Sequence, residues 1–365
     1  MEERNDALEM QEANVQTESL KCSGCGSNMN FDPETQMLKC SYCGMTESFE
    51  QSNDVQEIVF DENTDASVTW SDETIVYNCE NCGARIVAER AETAALCPFC
   101  GTSHVVATED LQGLRPNVVV PFKFGKDALL EHFKKWAKRK LFAPSDFKKN
   151  LKADKVKGVY MPYFTFDSNT RSVYDGRVGD RRTRTVRTKN GTRTETYIVW
   201  RHISGSIEHF FDDVLVNACK HEEIKKMSKL APFDWDSSRV YDSEYLSGYV
   251  AKHYERSMSE CWKDARDCID QELRDLIVAK HHADVVGYLN VSTHHERVTY
   301  KYALLPVYVI NYSYKTKNYT IYSNGSTGKT VGKSPVSPWR VLIASIIGLG
   351  LAVCIGALVY MGLMS

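Results

Sequence analysis

The sequence lacks the local motifs that mark the common catalytic sites. No H-E-x-x-H or G-x-S-x-G pattern occurs, and the ten histidines are scattered along the chain. Gly325–Thr330 resembles a phosphate-binding loop, but Ser323 stands where that loop needs its first glycine, and no helical pattern follows. These absences predict a protein without enzymatic activity. Acid–base residues assembled from distant parts of the chain would still leave an enzyme open.

The amino-terminal third has few basic residues, and none lies between Lys39 and Arg85. Residues 1–110 carry 22 acidic and 5 basic side chains, whereas the rest of the chain carries 26 acidic and 40 basic ones. Affinity for nucleic acid comes mainly from Lys and Arg at phosphates, so this acidic region disfavours it. We expect a disordered acidic tail over residues 1–20. Residues 51–74 are expected to be an acidic linker, either solvated or a docking strip for a basic partner.

Eight of the twelve cysteines form two grids with the same spacing, C-x₂-C-x₁₄-C-x₂-C. No histidine or carboxylate stands at a ligand position, so neither grid leaves an open place for water. A glycine follows every C-x₂-C pair and can take the positive φ of a metal-binding knuckle. The spacing predicts two structural Zn²⁺ ions, held in zinc ribbons over residues 21–50 and 75–105. The predicted ligands are Cys22, Cys25, Cys40, Cys43, Cys79, Cys82, Cys97 and Cys100.

The carboxy-terminal run Val341–Met364 contains no charged residue over 24 positions. A bilayer core needs about 20 apolar residues in helical form, so we predict a transmembrane anchor over residues 340–364. The start of the chain is acidic and polar, unlike a signal peptide. Basic residues precede the span, and the positive-inside bias therefore places residues 1–340 in the cytoplasm. Free thiolates also suit that reducing compartment.

Small residues recur every four positions along this apolar run. Such stripes let two membrane helices approach closely, which favours packing against a second copy or against a partner's anchor. A lipid-facing stripe without a partner is the alternative. The residues of the stripe are Ala344, Gly348, Ala352 and Gly356.

The middle of the chain predicts two α/β units with antiparallel hairpins, over residues 115–210 and 211–335. Apolar residues at helical spacing predict a helix over residues 127–140. A capping-box pattern begins a longer helix over residues 257 to about 280, and a shorter helix is expected over residues 243–256. The predicted fold class is therefore α+β, with two ribbons, two α/β units and one membrane helix.

Residues 183–200 alternate in polarity around an Asn-Gly turn, which predicts a β-hairpin. Its arms are strongly basic. The hairpin is either a solubilising surface element or a basic flap for anionic lipid headgroups or an acidic partner. Its arginines are Arg181, Arg182, Arg184, Arg187 and Arg193.

The order of these motifs resembles one bacterial family, the TFIIB-type zinc-ribbon proteins that are often labelled primosomal-helicase-like. The chain contains no helicase motor, so the resemblance does not extend to that activity, and the family has no established reaction. The carboxy-terminal anchor makes the chain more similar to members encoded in envelope-stress clusters. There they accompany phage-shock protein A and an SPFH protein, and the resemblance implies membrane association and those partners. The matching segments are Cys22–Cys100, Val120–Phe122, Lys157–Asp167, Tyr302–Tyr308 and Asn324–Lys329.

These observations predict a tail-anchored adaptor that docks protein partners at the inner face of a bacterial membrane. Two alternatives remain open. One is a membrane-tethered nucleic-acid-binding protein, which the ribbon type favours and the ribbon charge disfavours. The other is a membrane-bound enzyme of unknown reaction.

Overall fold

The computed structural model describes residues 21–61, 74–89, 97–100, 102, 105–108, 114–149, 156–188, 191–219, 228–314 and 317–364. This part of the chain contains a three-stranded sheet, a twelve-stranded sheet and four α-helices. The predicted α+β class is confirmed at this level. The predicted tail over residues 1–20 lies outside the described residues.

The elements follow one another in the order β1–β8, α1, α2, β9–β12, α3, β13–β15 and α4. The strands are β1 (Met29–Asp32), β2 (Met37–Cys40), β3 (Thr46–Glu47), β4 (Ile58–Val59), β5 (Thr74–Cys79), β6 (Arg85–Glu89), β7 (Val105–Thr108), β8 (Val118–Val119), β9 (Val156–Thr188), β10 (Gly191–Asn217), β11 (Arg239–Val240), β12 (Val250–Lys252), β13 (Val285–Tyr314), β14 (Lys317–Asn324) and β15 (Thr330–Gly332). The helices are α1 (Lys126–Lys138), α2 (Ser145–Lys149), α3 (Met258–Lys280) and α4 (Pro338–Met364).

Three long strands form the centre of the large sheet. β9 pairs antiparallel with β13 on one edge and with β10 on the other. Residues 159–168 of β9 are all buried, whereas residues 171–178 alternate between exposed and buried. A strand buried on both faces reads as a continuous apolar run, and a half-covered strand alternates. The sheet therefore has a buried base and a far half with one face open to solvent.

The two predicted α/β units share this one sheet. The expected division between residues 210 and 211 falls inside β10, and β13 of the second unit pairs with β9 of the first over most of its length. Pro162 of β9 and Pro306 of β13 lie within this pairing, with Pro162 opposite Leu304 and Pro306 opposite Tyr160.

The long helix predicted in the second half is α3, and its capping box is present. Ser257 Oγ accepts a hydrogen bond from the Glu260 amide, and the Glu260 carboxylate accepts one from the Ser257 amide. The shorter helix predicted over residues 243–256 is wrong. A 3₁₀ turn covers Ser243–Leu246, and Gly248 at φ 78° then redirects the chain into β12. Positive φ ends a right-handed helix.

The two cysteine-rich ribbons join the molecule in different ways. The first ribbon, residues 21–50, has its own sheet of β1, β2 and β3. The second ribbon, residues 75–105, contributes β5, β6 and β7 to the large sheet, where β6 pairs with β12. The first ribbon is thus a small sheet of its own, whereas the second shares a main-chain ladder with the body.

The acidic segment after the first ribbon lies partly against the body. β4 pairs with β13, and the Phe60 ring packs on Phe166 and Trp262, at centroid distances of 5.9 and 5.5 Å. The Asn117 side chain donates a hydrogen bond to the Gln56 carbonyl. Residues 62–73 of the predicted linker lie outside the described residues.

Candidate metal centres

The first cysteine grid closes into a compact cluster. Cys22 Sγ lies 3.5 Å from Cys43 Sγ, and Cys25 Sγ lies 3.4 Å from Cys40 Sγ. Each knuckle is a tight turn, in which the amide of the following glycine donates to the carbonyl of the first cysteine. Gly26 has φ 72°, a conformation that favours glycine over residues with a side chain. The four thiols thus converge because two short turns face each other.

The second grid repeats this geometry. Cys79 Sγ lies 3.6 Å from Cys100 Sγ, and Cys82 Sγ lies 3.7 Å from Cys97 Sγ. The first knuckle is the same turn, with Gly83 at φ 71° and its amide bonded to the Cys79 carbonyl. The ligand atoms of each set of four lie within 4.8 Å of one another. The sequence prediction of two separate four-cysteine clusters is therefore confirmed.

The sulfur spacing fits a tetrahedral metal ion. Zn–S bonds of about 2.3 Å in a tetrahedron hold sulfurs roughly 3.8 Å apart, close to the distances in both clusters. A disulfide would need about 2.05 Å, and all eight cysteines are free thiols. Four soft sulfur ligands in this geometry select zinc or an iron–sulfur centre over hard cations. All four positions are filled by protein, so the arrangement is that of a structural site.

Local hydrogen bonds favour a thiolate in each cluster. The Cys43 amide donates to Cys40 Sγ, and this bond lowers the pKa of Cys40 to about 6. At Cys100 burial opposes ionisation, but hydrogen bonds from the Thr102 amide and the Asn81 side chain outweigh it and lower the pKa to about 7. Burial raises the pKa of Cys82 to about 11. A bound cation would hold the remaining thiols as thiolates.

A carboxylate cluster at the seam between the acidic segment and the body was not foreseen. Glu57, Asp167 and Asp212 place ligand oxygens close enough for a metal. An ammonium group already lies there: Lys301 Nζ is 3.2 Å from Glu57, 3.3 Å from Asp167 and 3.0 Å from Asp213. Burial raises the pKa of Asp167 to about 6, against the attraction of Lys301. The cluster is an ion-pair network, and the long sequence separation of its members leaves no local signal.

The predicted hairpin arginines lie where β9 and β10 extend beyond β13. β13 begins opposite Gly179, so residues 180–199 form a two-stranded ribbon. Its arginine side chains are exposed, and Arg184 pairs with Glu195 at 3.3 Å. The strands connect through residues 189–190, which lie outside the described residues. The five exposed arginines are Arg181, Arg182, Arg184, Arg187 and Arg193.

The apolar helix α4 is long and apolar enough to cross a membrane. Its residues 341–356 are exposed along their whole length. The predicted small-residue stripe lies along this uncovered helix, and a Cβ added at Gly348 or Gly356 would meet no atom within 4 Å. In the described part of the chain, nothing packs on Ala344, Gly348, Ala352 or Gly356.

Together the fold and the clusters define a mixed α+β protein with two four-cysteine clusters whose geometry fits a metal ion, and with one apolar carboxy-terminal helix. The chain is similar to the uncharacterized protein YdjG of Bacillus subtilis strain 168, with 31% identity over 245 residues. The match covers 62% of this chain and 66% of YdjG, just under two thirds of that protein. No family model matches the sequence, and no solved structure matches it.

Proposed function

We propose that this chain is a membrane-anchored zinc-ribbon adaptor that docks protein partners at the inner face of a bacterial cell membrane. The observation that carries the proposal is the pairing of two closed four-cysteine clusters with an uncovered apolar helix at the far end of the chain. Closed clusters shape a surface and leave no coordination position for a substrate.

Zinc is the metal that we assign to both clusters, one ion in each. The amides that point at sulfur stabilise thiolates before the metal binds, as expected for a thiolate-rich zinc site. Structural zinc supplies folding free energy on the order of 10 kcal/mol to a small ribbon. The strands of the first ribbon are short, so its fold depends on such a contribution. The proposed topology is a single pass, with residues 1–340 in the reducing cytoplasm.

The partner surface that we propose is the outer end of the first ribbon. Tyr42 is 84% exposed and Met45 42% exposed, although both are large apolar side chains. A surface pocket of about 510 Å³, lined in part by Asn30, Asp32 and Tyr42, lies beside them. Exposed aromatic and Met side chains are enriched at interfaces. By the family resemblance, the proposed partners are an SPFH-type protein and phage-shock protein A.

The test places a photoreactive amino acid at position 42 of the full-length chain in vesicles. The purified SPFH-type protein and phage-shock protein A of the source bacterium are added separately. We expect a crosslink from position 42 to one of them, and none from position 173, which is 63% exposed in the body. Equal labelling from both positions, or no crosslink to either protein, contradicts the adaptor proposal. Elemental analysis of the same sample should give two zinc ions per chain.

The basic ribbon of residues 180–199 favours a second candidate function, a membrane-tethered nucleic-acid binder. Its exposed arginines suit phosphate contacts, and such binding falls steeply with salt. The same arginines suit an anionic leaflet, where each contributes about 1 kcal/mol. Salt titration of full-length protein in nanodiscs against duplex and single-stranded nucleic acid separates the nucleic-acid binder from the adaptor. Absence of binding to both nucleic acids supports the adaptor. A membrane-bound enzyme remains the third candidate, and no observation in the described residues favours it.

A further inference from the structure

The loop between α1 and α2 exposes two large apolar side chains. Leu141 is 74% exposed and Phe142 42% exposed, although the adjacent Ala143 and Phe147 are buried in the main core. Exposed apolar side chains that lie together mark contact sites for membranes or proteins more often than scattered ones do.

This loop is fastened to the start of the apolar helix. The Ser337 amide donates to the Phe142 carbonyl at 2.8 Å. The Arg340 guanidinium donates to the Leu141 carbonyl at 3.3 Å and to Ser145 Oγ at 2.8 Å. Arg340 is the last charged residue before the uncharged run. The loop is thereby fixed at the level where a spanning α4 would enter the bilayer.

The surroundings of the loop match a lipid headgroup layer. Trp339, in the first turn of α4, is 69% exposed, and Val336, two residues before the helix, is 56% exposed. Lys138, the last residue of α1, and Arg139, which follows it, are exposed and lie close before Leu141 in the chain. Aromatic and basic residues mark the membrane interface, where apolar tips enter the acyl region and cations meet anionic headgroups.

We propose that Leu141 and Phe142 are a second membrane contact, which inserts beside α4 into an anionic leaflet and fixes the orientation of the body. The proposal rests on the membrane anchoring proposed above. With this contact, the body sits on the bilayer at two adjacent points and does not swing freely on α4.

The test uses full-length protein in vesicles of phosphatidylcholine with and without phosphatidylglycerol. A photoreactive amino acid replaces Phe142, Ile347 or Tyr42, one per sample. These positions report the loop, the anchor and the exposed end of the first ribbon. We expect lipid adducts from positions 142 and 347 and none from position 42. The yield at position 142 should rise with phosphatidylglycerol, while the yield at position 347 stays constant.

A paired variant isolates the charge. Lys138→Gln with Arg139→Gln should lower the lipid adducts at position 142 in anionic vesicles to the level of neutral vesicles. Adducts at position 347 without adducts at position 142 overturn this proposal and leave the anchor standing. No adducts at position 347 overturn the anchor itself. Crosslinks from position 142 to a second copy of the chain, in place of lipid, also overturn the membrane contact.

Discussion

The two ribbons have identical cysteine spacing and nearly identical sulfur geometry, yet one is an attached module and the other is part of the sheet. The first touches the body through side chains, chiefly Phe31 against Tyr245 and Tyr249, at centroid distances of 5.2 and 6.4 Å. Hydrogen bonds accompany these contacts, such as that from the Phe31 amide to the Ser247 carbonyl. The second ribbon continues the main-chain ladder, with Val87 opposite Ala251 and Ile86 opposite Lys252.

The difference comes from the residues between the cysteines. β1 alternates between buried and half-buried residues, which suits a small sheet with one covered face. Ile86, Val87 and Ala88 of β6 are all fully buried, as expected for a strand covered on both faces. Val76 and Val87 of the second ribbon and Phe31 of the first all belong to the main core of the body, so the ladder between β6 and β12 is what distinguishes the second ribbon. The cysteines specify a metal site, and the strand residues decide how firmly that site is joined to the rest.

The largest expected effect comes from breaking the second cluster. Cys82→Ser should release one metal ion and, with it, folding free energy on the order of 10 kcal/mol. Because β6 supports β12, we expect residues 250–252 to lose their protection from amide hydrogen exchange. The matched variant Cys25→Ser should also lose one ion but keep that protection. Hydrogen-exchange mass spectrometry with metal analysis compares the two. Similar protection of β12 in both variants would refute the difference in attachment.

The next largest effect is expected at Lys301 of β13, which forms ion pairs with Glu57 of the acidic segment and with Asp167 of β9. Lys301→Met leaves Asp167, which is 1% exposed, without its ammonium partner. Removing one partner of a buried ion pair costs about 3–5 kcal/mol, so we expect a loss of that size in the free energy of unfolding, measured in urea. Lys157→Met, on an exposed position of the same sheet, is the control and should change stability by less than about 0.5 kcal/mol. Equal losses of stability in Lys301→Met and Lys157→Met would show that the ion-pair network does not stabilise the fold.

A smaller and more local effect is expected from the aromatic contact of the first ribbon. Phe31→Ala removes a ring that is 3% exposed, and such changes cost about 3 kcal/mol. We expect the ribbon to separate from the body while its four cysteines keep their metal ion. Faster cleavage of residues 48–57 by protease, with unchanged metal content, would show this. Tyr42→Ala in the same ribbon should leave cleavage unchanged, and loss of metal in Phe31→Ala would contradict the modular attachment.

Sequence reasoning succeeded where the information is local. Three features are each encoded by residues close together in the sequence: the cysteine pairs, the capping box of Ser257 and Glu260, and the uncharged run of α4. It does not reach contacts that join distant segments of the chain. The sequence predicts residues 211–335 as a separate unit. The pairing of β13 with β9 joins positions more than 100 residues apart, so no local pattern in the sequence indicates it. The meeting of Lys301 with Glu57 likewise depends on that sheet.

The smallest expected effect concerns the response of the two ribbons to acid. His253 is 2% exposed, and its backbone amide donates a hydrogen bond to the Arg85 carbonyl at the seam between the second ribbon and the body. Burial, with the nearby charge of Arg85, lowers the pKa of its imidazole to about 4, against the opposing effects of the hydrogen bond with the Tyr254 carbonyl and the charge of Glu255. In the unfolded chain His253 takes up a proton near pH 6.5, whereas in the folded state it stays neutral until the pH approaches 4. The stabilisation is therefore complete above pH 6.5 and is lost as the pH falls towards 4.

At pH 5.5 this histidine should cost about 1.4 kcal/mol of stability relative to pH 7.5. His253→Gln should lose that part of the acid sensitivity, because glutamine does not titrate. The thiolates titrate in both proteins, so the difference between their urea unfolding free energies at the two pH values isolates the histidine. The first ribbon contains no histidine in residues 21–50, and its attachment should not share this response. An identical pH dependence in wild type and variant would show that the seam of the second ribbon does not sense acid through His253.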